Sequence, residues 1–343
     1  MNSIYDLSLK DIENYLVNKG LKPYRAKQIF KWLYDKRIDN FTDMSDISKE
    51  LQNELINDFK FESLKTKTVQ VSKDGTKKYL FELSDGSFVE SVLMVFDYGY
   101  SACLSSQIGC NMACSFCASG LLKKKRDLSV SEIVLQALLI QKDLDKEDKR
   151  LGNIVVMGTG EPFDNYDNVM KAMEIINDPY GLKIGARHIS ISTCGIVPMI
   201  KRFAKENVQY NLAISLHAAD NELRSKLMPI NKAYPLEELI DALKEYSNNN
   251  NRRLTFEYLL LKGINDRKED VLNIKKLFKG LNAYINLIPY NEVKENEYKS
   301  SDELNTLRFY DLLKKENVAV TLRQRKGDDI DAACGQLRAK YEN

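Results

Sequence analysis

The spacing of apolar and polar residues divides the start of the chain into two parts. In residues 1–60 the apolar positions recur every three or four residues, which is typical of amphipathic helices. Residues 61–98 instead contain short β-rich runs, separated by Asp-Gly dipeptides at 74–75 and 85–86 that are typical of hairpin turns. The pattern predicts a small helical accessory domain followed by a β-hairpin extension.

From residue 99 to residue 326, strand-like and helix-like patterns alternate. The predicted strands are 102–105, 153–157, 188–192, 210–216, 254–260 and 284–288, with a last strand at 318–323. Repeated βα units imply a parallel sheet with helices packed outside it. Six units predict an α/β fold with a partial, open (βα)6 barrel, and residues 327–343 form a C-terminal segment.

A short run of cysteines follows the first strand of this predicted barrel. Cys110, Cys114 and Cys117 stand in the sequence CNMACSFC, a C-x3-C-x2-C spacing without a fourth cysteine or histidine close by. A structural zinc site has four protein ligands, whereas three thiolates suit a 4Fe–4S cluster that leaves one iron open. The run resembles the signature of the radical S-adenosylmethionine enzymes, and this resemblance implies a cluster whose open iron binds S-adenosylmethionine through its amino and carboxylate groups.

Other polar or glycine-rich segments also follow predicted strands. They are residues 158–162, 192–195, 215–217 and 289–291. Because barrels place their chemistry at the carboxyl ends of the strands, these segments should meet at one rim. Taken alone, Gly160 could belong to an ordinary tight turn and His217 could be a hydrogen-bonded structural residue. Their position beside the cysteine run favours contacts with a cofactor, to which Glu161 adds a carboxylate.

Composition and charge narrow the class of protein. The net charge of +2 neither requires nor excludes a nucleic-acid partner. No apolar run approaches the roughly 20 residues of a membrane span, and the N-terminus lacks the apolar core of a signal peptide, so we expect a cytoplasmic protein with no membrane partner. Two basic clusters are either solvated faces or phosphate contacts. They are Lys123, Lys124, Lys125 and Arg126, and Lys22, Arg25, Lys27, Lys31, Lys36 and Arg37.

Three further cysteines and one acid remain to be explained. Cys103 and Cys334 are either unconnected buried thiols or partners in a transient disulfide, which requires their Cα atoms to come within about 7 Å. Cys194 fits an ordinary buried thiol. Glu90 shares one face of a predicted strand with apolar residues, so it is either a partly exposed position or a reactive acid or base.

An ordered series of motifs identifies a family. The motifs are PYRAKQIFKWLY, CLSSQIGCNMACSFCASG, MGTGEPFDN, ISISTCG, AISLHA, RSKLMPIN, INLIPYN and GDDIDAACGQL. Over almost its full length the chain resembles the radical S-adenosylmethionine methyltransferases that modify an adenosine of bacterial 23S ribosomal RNA. One branch of this family methylates C2 of the adenine and the other methylates C8. The Glu161-Pro162 pair and INLIPYN resemble the C2 branch, and C8 methylation is the alternative.

The resemblance implies a role for each residue that matches a family motif. Cys334 would carry the methyl group, Cys103 would form a transient disulfide with it, and Glu90 would accept the ring proton. The cluster ligands would be Cys110, Cys114 and Cys117. The cofactor contacts would be Gly160, Glu161, Ser192, Ser215, Leu216, His217 and Asn291. Two S-adenosylmethionine molecules would be used in each turnover, one for each half of the reaction.

The resemblance also implies partners. The substrates would be 23S ribosomal RNA outside the assembled ribosome and, in some members, an adenosine beside the anticodon of transfer RNA. A low-potential donor such as flavodoxin or ferredoxin would supply electrons to a monomer. Two rival hypotheses stay open: a different radical enzyme on the same barrel, in which Cys103 and Cys334 have no role, and a non-enzymatic zinc or RNA-binding protein.

Overall fold

The chain begins with a group of short helices. The computed structural model describes residues 1–250, 252–293, 295–333 and 335–337. Helix α1 spans Leu9–Asn18, α2 spans Arg25–Phe30 and continues into a π-helical segment at Lys31–Lys36, and α3 spans Lys49–Asp58. Helix α1 starts where Ser8 caps it, because the Ser8 hydroxyl accepts a hydrogen bond from the backbone N–H of the third helical residue.

Three antiparallel strands follow: β1 (Lys65–Val71), β2 (Lys77–Glu82) and β3 (Phe88–Phe96). The two Asp-Gly turns join them as the sequence predicts. Gly75 has a φ of 84° and Gly86 a φ of 76°, values that glycine adopts without steric cost. Strand β3 then pairs with β4 (Gly99–Cys103) and connects the hairpins to the barrel.

The remaining strands complete a single large sheet and one small ribbon. They are β4 (Gly99–Cys103), β5 (Gln107–Ile108), β6 (Arg126–Asp127), β7 (Leu151–Val156), β8 (Ile189–Thr193), β9 (Asn211–Ser215), β10 (Leu254–Leu260), β11 (Ala283–Pro289) and β12 (Val320–Leu322). Within the described residues, ten strands form the sheet in the order β1-β2-β3-β4-β7-β8-β9-β10-β11-β12, and the pairs from β4 to β12 are parallel. Strands β5 and β6 pair separately.

Helices cover the outside of this sheet. They are α4 (Val130–Asp145), α5 (Tyr166–Asn177), α6 (Val197–Phe203), α7 (Asn221–Leu227), α8 (Leu236–Asn250), α9 (Lys268–Leu277) and α10 (Glu303–Lys315). The predicted α/β fold with a partial (βα)6 barrel, a helical N-terminal part and antiparallel hairpins is confirmed. The boundaries 1–60, 61–98, 99–326 and 327–343 stay a prediction. Strand β4 begins earlier than the sequence pattern predicts, because Gly99 and Tyr100 pair with the end of β3.

One hydrophobic core runs from the N-terminal helices into the barrel. It includes Tyr5 and Ile29 from the first helices as well as Ile133 on α4 and Ile154 on β7. Polar contacts reinforce the same junction, since Asp6 accepts a hydrogen bond from the backbone N–H of Ser131 at 2.8 Å. The helical part is therefore packed on the barrel rather than tethered to it.

None of the helices in the described ranges combines the length and the apolar character that crossing a membrane requires.

Candidate active site

A deep cavity opens at the carboxyl ends of the parallel strands. The cavity is partly open to solvent, and the free space within it, solvent-open part included, is about 1340 Å³. The cavity brings together ten of the residues that the sequence predicts as site residues. They are Cys103, Cys110, Cys114, Cys117, Gly160, Glu161, Ser192, Ser215, His217 and Asn291. Glu90 and Leu216 are not among the residues that line it.

The three cysteines of the loop line this cavity. The backbone N–H of Cys110 donates to the carbonyl of Leu122 at 2.9 Å, and the N–H of Cys117 donates to the carbonyl of Cys114 at 3.1 Å. The loop turns sharply because Ala113 has a φ of 52°, in the left-handed region. Residues 110–122 therefore fold back on themselves and present several thiols to one space.

The chemistry of these thiols fits a cationic metal group. Burial raises the pKa of Cys110 to about 12 and holds the pKa of Cys114 well above its usual value. Burial therefore favours the neutral thiols, and a coordinated metal would reverse this, because its positive charge deprotonates a thiol. In the described part of the chain no three Cys, His, Asp or Glu side chains are grouped to hold a metal ion. The donor set matches a cluster, because the cysteine ligands of a 4Fe–4S group bind separate irons.

The glycines after β7 allow the backbone to turn tightly against the preceding loop. A Cβ atom at Gly158 would lie 2.5 Å from the Ser105 hydroxyl oxygen, and one at Gly160 would lie 2.6 Å from the Cβ of Gln107. Gly160 also has a φ of 109°. A residue with a side chain would displace the loop, so the motif is built for close backbone approach.

Glu161 joins the ends of two neighbouring strands. Its carboxylate accepts hydrogen bonds from the backbone N–H of Cys194 at 2.8 Å and from that of Phe163 at 3.0 Å. Its own N–H donates to the side chain of Gln107 at 2.9 Å. Burial raises its pKa. The residue thus fixes the shape of the rim and still leaves carboxylate lone pairs for a ligand.

His217 and its neighbour Leu216 contribute in different ways. His217 has a φ of 54°, and its Nδ1 accepts a hydrogen bond from the N–H of Leu259 at 3.1 Å. Burial, with a smaller contribution from Arg224, lowers its pKa to about 3, so the imidazole is neutral at physiological pH. The side chain of Leu216 is buried in the core. Its backbone N–H donates to the carbonyl of Glu257 at 3.0 Å, and its carbonyl accepts a hydrogen bond from the guanidinium of Arg224 at 3.2 Å.

Cys103 and Glu90 lie on adjacent strands. Cys103 ends β4, is paired in register with Val92 and belongs to one small apolar cluster with Ala332 and Leu337. Glu90 is buried on β3, with its carboxylate 3.5 Å from the ammonium of Lys78. Val92 and Met94, on the same face of β3 as Glu90, line the cavity. Glu90 therefore lies on the same face of β3, two residues before Val92, just outside the set of residues that line the cavity.

The C-terminal segment closes one side of the cavity. Cys334 itself lies outside the described residues, but Ala333 and Gly335, its neighbours in the sequence, both line the cavity. The carbonyl of Gly335 accepts a hydrogen bond from the N–H of Ala118 at 2.8 Å, and that of Leu337 accepts one from the Ser119 hydroxyl at 2.7 Å. The segment is therefore docked on the residues that directly follow Cys117.

Several residues at the site were not predicted from the sequence. Glu257 is buried in β10 and lines the cavity, and burial raises its pKa. Arg323 to Lys326 follow β12 and line the cavity too. Arg224 is fully buried behind the rim. For Glu257 the available signal was a charged residue inside the apolar run LTFEYLL, the same signal that singled out Glu90.

Comparisons with known proteins agree with this geometry. Residues 104–274 match the family described as "Radical SAM superfamily", and residues 2–60 match "Ribosomal RNA large subunit methyltransferase N-terminal domain". A solved radical SAM methyltransferase from Sphaerobacter thermophilus is 38% identical and superposes with a TM-score of 0.94, covering 99% of this chain and 100% of that one.

Curated relatives match over the whole chain. A "Probable dual-specificity RNA methyltransferase RlmN" from Spiroplasma citri is 52% identical over 342 residues, covering 100% of this chain and 99% of that protein. A protein of the same description from Geobacillus kaustophilus is 51% identical, covering 98% and 93% respectively. Identity of this extent shows that the chain belongs to the RlmN family of dual-specificity RNA methyltransferases, within the radical SAM superfamily.

Proposed function

We propose that this protein methylates C2 of an adenine in 23S ribosomal RNA and in transfer RNA, with the methyl group carried on Cys334. The observation that supports this most directly is the meeting of three elements in one cavity. The cysteine loop, Cys103 and the two neighbours of Cys334 all line it. A radical enzyme acting on a small molecule would have no use for that arrangement of separate thiols.

The chain's residues fit the two groups that the family uses. Cys110, Cys114 and Cys117 would hold the 4Fe–4S cluster. The backbone at Gly160, the Ser215–His217 segment and Asn291 would hold S-adenosylmethionine, together with Glu161 and Ser192. When bound, these groups supply the one-electron chemistry that an electron-poor ring carbon requires, because such a carbon does not attack an ordinary methyl sulfonium.

The protein's own groups then handle the methyl carbon and the proton. Cys334 accepts the methyl group on its sulfur and presents it to the base. Glu90 accepts the proton from the ring carbon, and the ammonium of Lys78 lies 3.5 Å from its carboxylate. The Cys103 thiol loses its proton and attacks the Cys334 sulfur, which forms a disulfide and breaks the sulfur–carbon bond. The electron pair of that bond goes to the released carbon, which takes up a proton and becomes the methyl group of the freed RNA. An external reductant must then reopen the disulfide.

The RNA has to bring an unstacked base to the cavity mouth. Lys326 lies at this mouth with its ammonium 5.4 Å from the centre of the Phe96 ring, and Phe96 stacks on the exposed Tyr98. Cations next to exposed aromatic rings suit single-stranded RNA, through phosphate contacts and base stacking. We infer that this surface receives the nucleotides that flank the target.

The basic loop after Cys117 is a weaker candidate for RNA contact. Lys124 forms ion pairs of 2.8 Å with both Asp127 and Asp164, and Arg126 pairs with Glu132 at 2.7 Å. These carboxylates neutralise two of the four cations of the loop. The cations of the N-terminal helices remain candidates for phosphate contact. We place the reaction in the cytoplasm, on 23S ribosomal RNA outside the assembled ribosome, with a monomer that receives electrons from flavodoxin or ferredoxin.

Mass spectrometry of RNA from cells tests this function. A strain that lacks the gene is complemented with the native chain, with Cys334→Ala or with Glu90→Gln, and digests of 23S and transfer RNA are resolved for 2-methyl- and 8-methyladenosine. We expect 2-methyladenosine in both RNAs with the native chain and none with Cys334→Ala. Glu90→Gln should carry a methyl group on Cys334 and modify RNA at least about 100-fold more slowly.

The same measurement separates the alternatives. Formation of 8-methyladenosine would replace the C2 assignment, and modification of only one RNA would remove the dual specificity. Unchanged RNA modification with Cys334→Ala would favour a radical enzyme in which this thiol has no role. A purified protein that contains zinc and no iron would contradict the whole proposal.

A further inference from the structure

Arg224 is a fully buried arginine on α7, directly behind the cavity rim. Its guanidinium donates four hydrogen bonds, all to neutral acceptors. They run to the carbonyls of Cys194 at 2.7 Å, Ser215 at 3.1 Å and Leu216 at 3.2 Å, and to the Asn231 side-chain oxygen at 2.9 Å. In the ranges that the structure describes, no carboxylate forms an ion pair with it.

A buried charge of this kind is costly without a partner of opposite sign. Carbonyl dipoles offset part of the cost of removing a guanidinium from water, but a buried charge is normally paired. Burial lowers the pKa of Arg224 to about 10, still well above physiological pH, so the side chain stays charged. The position therefore calls for an anion that arrives after folding.

The geometry places the cysteine loop next to Arg224. The last turn of α7 contacts the loop directly, because the carbonyl of Leu227 accepts a hydrogen bond from the N–H of Ser115 at 2.9 Å. Ser115 directly follows Cys114, and the groups whose negative charge would favour protonated Arg224 are the thiols of Cys194 and Cys114. A cluster with three thiolate ligands is anionic and becomes more so on reduction.

We propose that Arg224 is the counter-charge of the cluster held by Cys110, Cys114 and Cys117 and raises its reduction potential. Arg224 is a positioning residue in addition, because the carbonyls that it binds belong to the ends of β8 and β9, where Ser192, Ser215 and His217 lie. This inference rests on the cluster of the proposed function. The physical reason is that a fixed positive charge in a partly desolvated site stabilises the more negative, reduced cluster.

Redox titration of the cluster, followed by electron paramagnetic resonance without RNA or S-adenosylmethionine, tests the proposal. Arg224→Gln removes the charge and keeps two donors, whereas Arg224→Lys keeps the charge and loses most of the hydrogen bonds. We expect Arg224→Gln to disfavour reduction about tenfold, a decrease of about 59 mV for a one-electron couple. Arg224→Lys should stay within about threefold of the native protein.

A second variant offsets the charge of Arg224 without replacing Arg224 itself. Asn231→Asp is nearly isosteric and puts a carboxylate on the guanidinium, so it should lower the potential in the same direction as Arg224→Gln. Arg267→Gln is the matched control, because Arg267 pairs with Asp270 at 2.9 Å at the start of α9 and does not line the cavity. Its potential should equal the native value.

The outcomes distinguish charge from packing. Native potentials in both Arg224→Gln and Asn231→Asp, with full iron content, would overturn the proposal, and so would equal decreases in Arg224→Gln and Arg224→Lys. Arg224→Gln could also fail to retain iron. If Arg224→Lys then retains its iron, the result supports the counter-charge. If both variants lose iron while Asn231→Asp keeps the native potential, the result contradicts it. The proposed methylation fails separately, when the iron-loaded native protein leaves RNA unmodified.

Discussion

Cys103 is the side chain whose surroundings say most about turnover. It ends β4, is 9% exposed and belongs to an apolar cluster with Val92, Ala332 and Leu337. Ala332 and Leu337 flank the position of Cys334 in the sequence. This position beside the C-terminal segment supports the proposed reaction of Cys103 with Cys334.

Replacing Cys103 should stop the reaction after the RNA has become attached. In Cys103→Ala the RNA cannot be released from the Cys334 sulfur by disulfide formation, so we expect a covalent protein–RNA species and a loss of turnover of at least about tenfold. A denaturing gel with labelled RNA would detect the species, which nuclease should remove. The matched control is Cys103→Ala combined with Cys334→Ala, in which no such species should form.

His217 makes a pH-dependent contribution to stability. Burial lowers its pKa to about 3 from 6.5, so the unfolded chain takes up a proton in this range that the folded chain does not. The contribution of the neutral ring to the free energy of unfolding is fully present above pH 6.5. It decreases by about 1.4 kcal/mol per pH unit as the pH falls from there towards the pKa of His217 in the folded chain.

Urea unfolding at several pH values tests this contribution. Between about pH 6 and pH 5, His217→Gln should lose its free energy of unfolding less steeply than the native chain does, because glutamine has no proton to take up. The variant can still accept the hydrogen bond from Leu259 through its amide oxygen. Identical slopes in the two proteins would show that the native imidazole is already charged or exposed.

The β1–β2 hairpin has a second role at the level of elements. Its turn holds the start of the C-terminal segment, because Asp329 accepts hydrogen bonds from the Ser72 hydroxyl and from the N–H of Lys73. Asp74 in the turn accepts one from the N–H of Gly327 at 3.2 Å, and Lys78 donates to the carbonyl of Asp331 at 3.3 Å. The hairpin therefore anchors the segment that leads to Cys334.

Weakening this anchor should loosen the segment without disturbing the barrel. Asp329→Asn removes the charge from two hydrogen bonds, so we expect several-fold faster hydrogen exchange in residues 327–333 and slower methyl loading of Cys334. Exchange in β7 to β9 should not change. Asp328→Asn is the matched control, and a similar acceleration in that variant would mean that the effect comes from charge alone.

At the scale of the whole molecule, the N-terminal helices and the barrel share one core. Arg37 forms a bidentate pair with Asp145 at the end of α4, with distances of 2.6 and 2.9 Å. Lys142 and Lys183 reach back to acids of the N-terminal part. The apolar cluster is continuous across the same junction. The two parts therefore stabilise each other.

This sharing predicts a single cooperative unfolding transition. Calorimetry under anaerobic conditions should give one peak, with the calorimetric and van't Hoff enthalpies equal, and a chain that starts at residue 61 should aggregate because it exposes the apolar side of α4. Two separate peaks in the full chain, or a soluble and folded shortened chain, would contradict it. Arg37→Lys, which keeps the charge, is the mild control.

The sequence alone predicted the structural features that depend on residues close together in the chain. The Asp-Gly turns, the βα alternation and the spacing of Cys110, Cys114 and Cys117 are local patterns, and each has a direct conformational or chemical meaning. The ends of the parallel strands meet at one rim in any such barrel, so the predicted cofactor contacts there are found together. The exception is Leu216, which does not line the cavity because its side chain is buried in the core.

Only the tertiary structure decided which distant groups meet. Asp329 reaches a hairpin 257 residues earlier in the chain, and no periodic pattern encodes that partnership. The charge of Arg224 is visible in the sequence, but its burial against three strand-end carbonyls follows from where α7 packs. Local propensity is fixed by the order of residues, so the sequence alone predicted the family and the cysteine loop. Long-range contacts depend on the packing of the whole core, so the anchor at Asp329 and the buried charge of Arg224 could not be predicted.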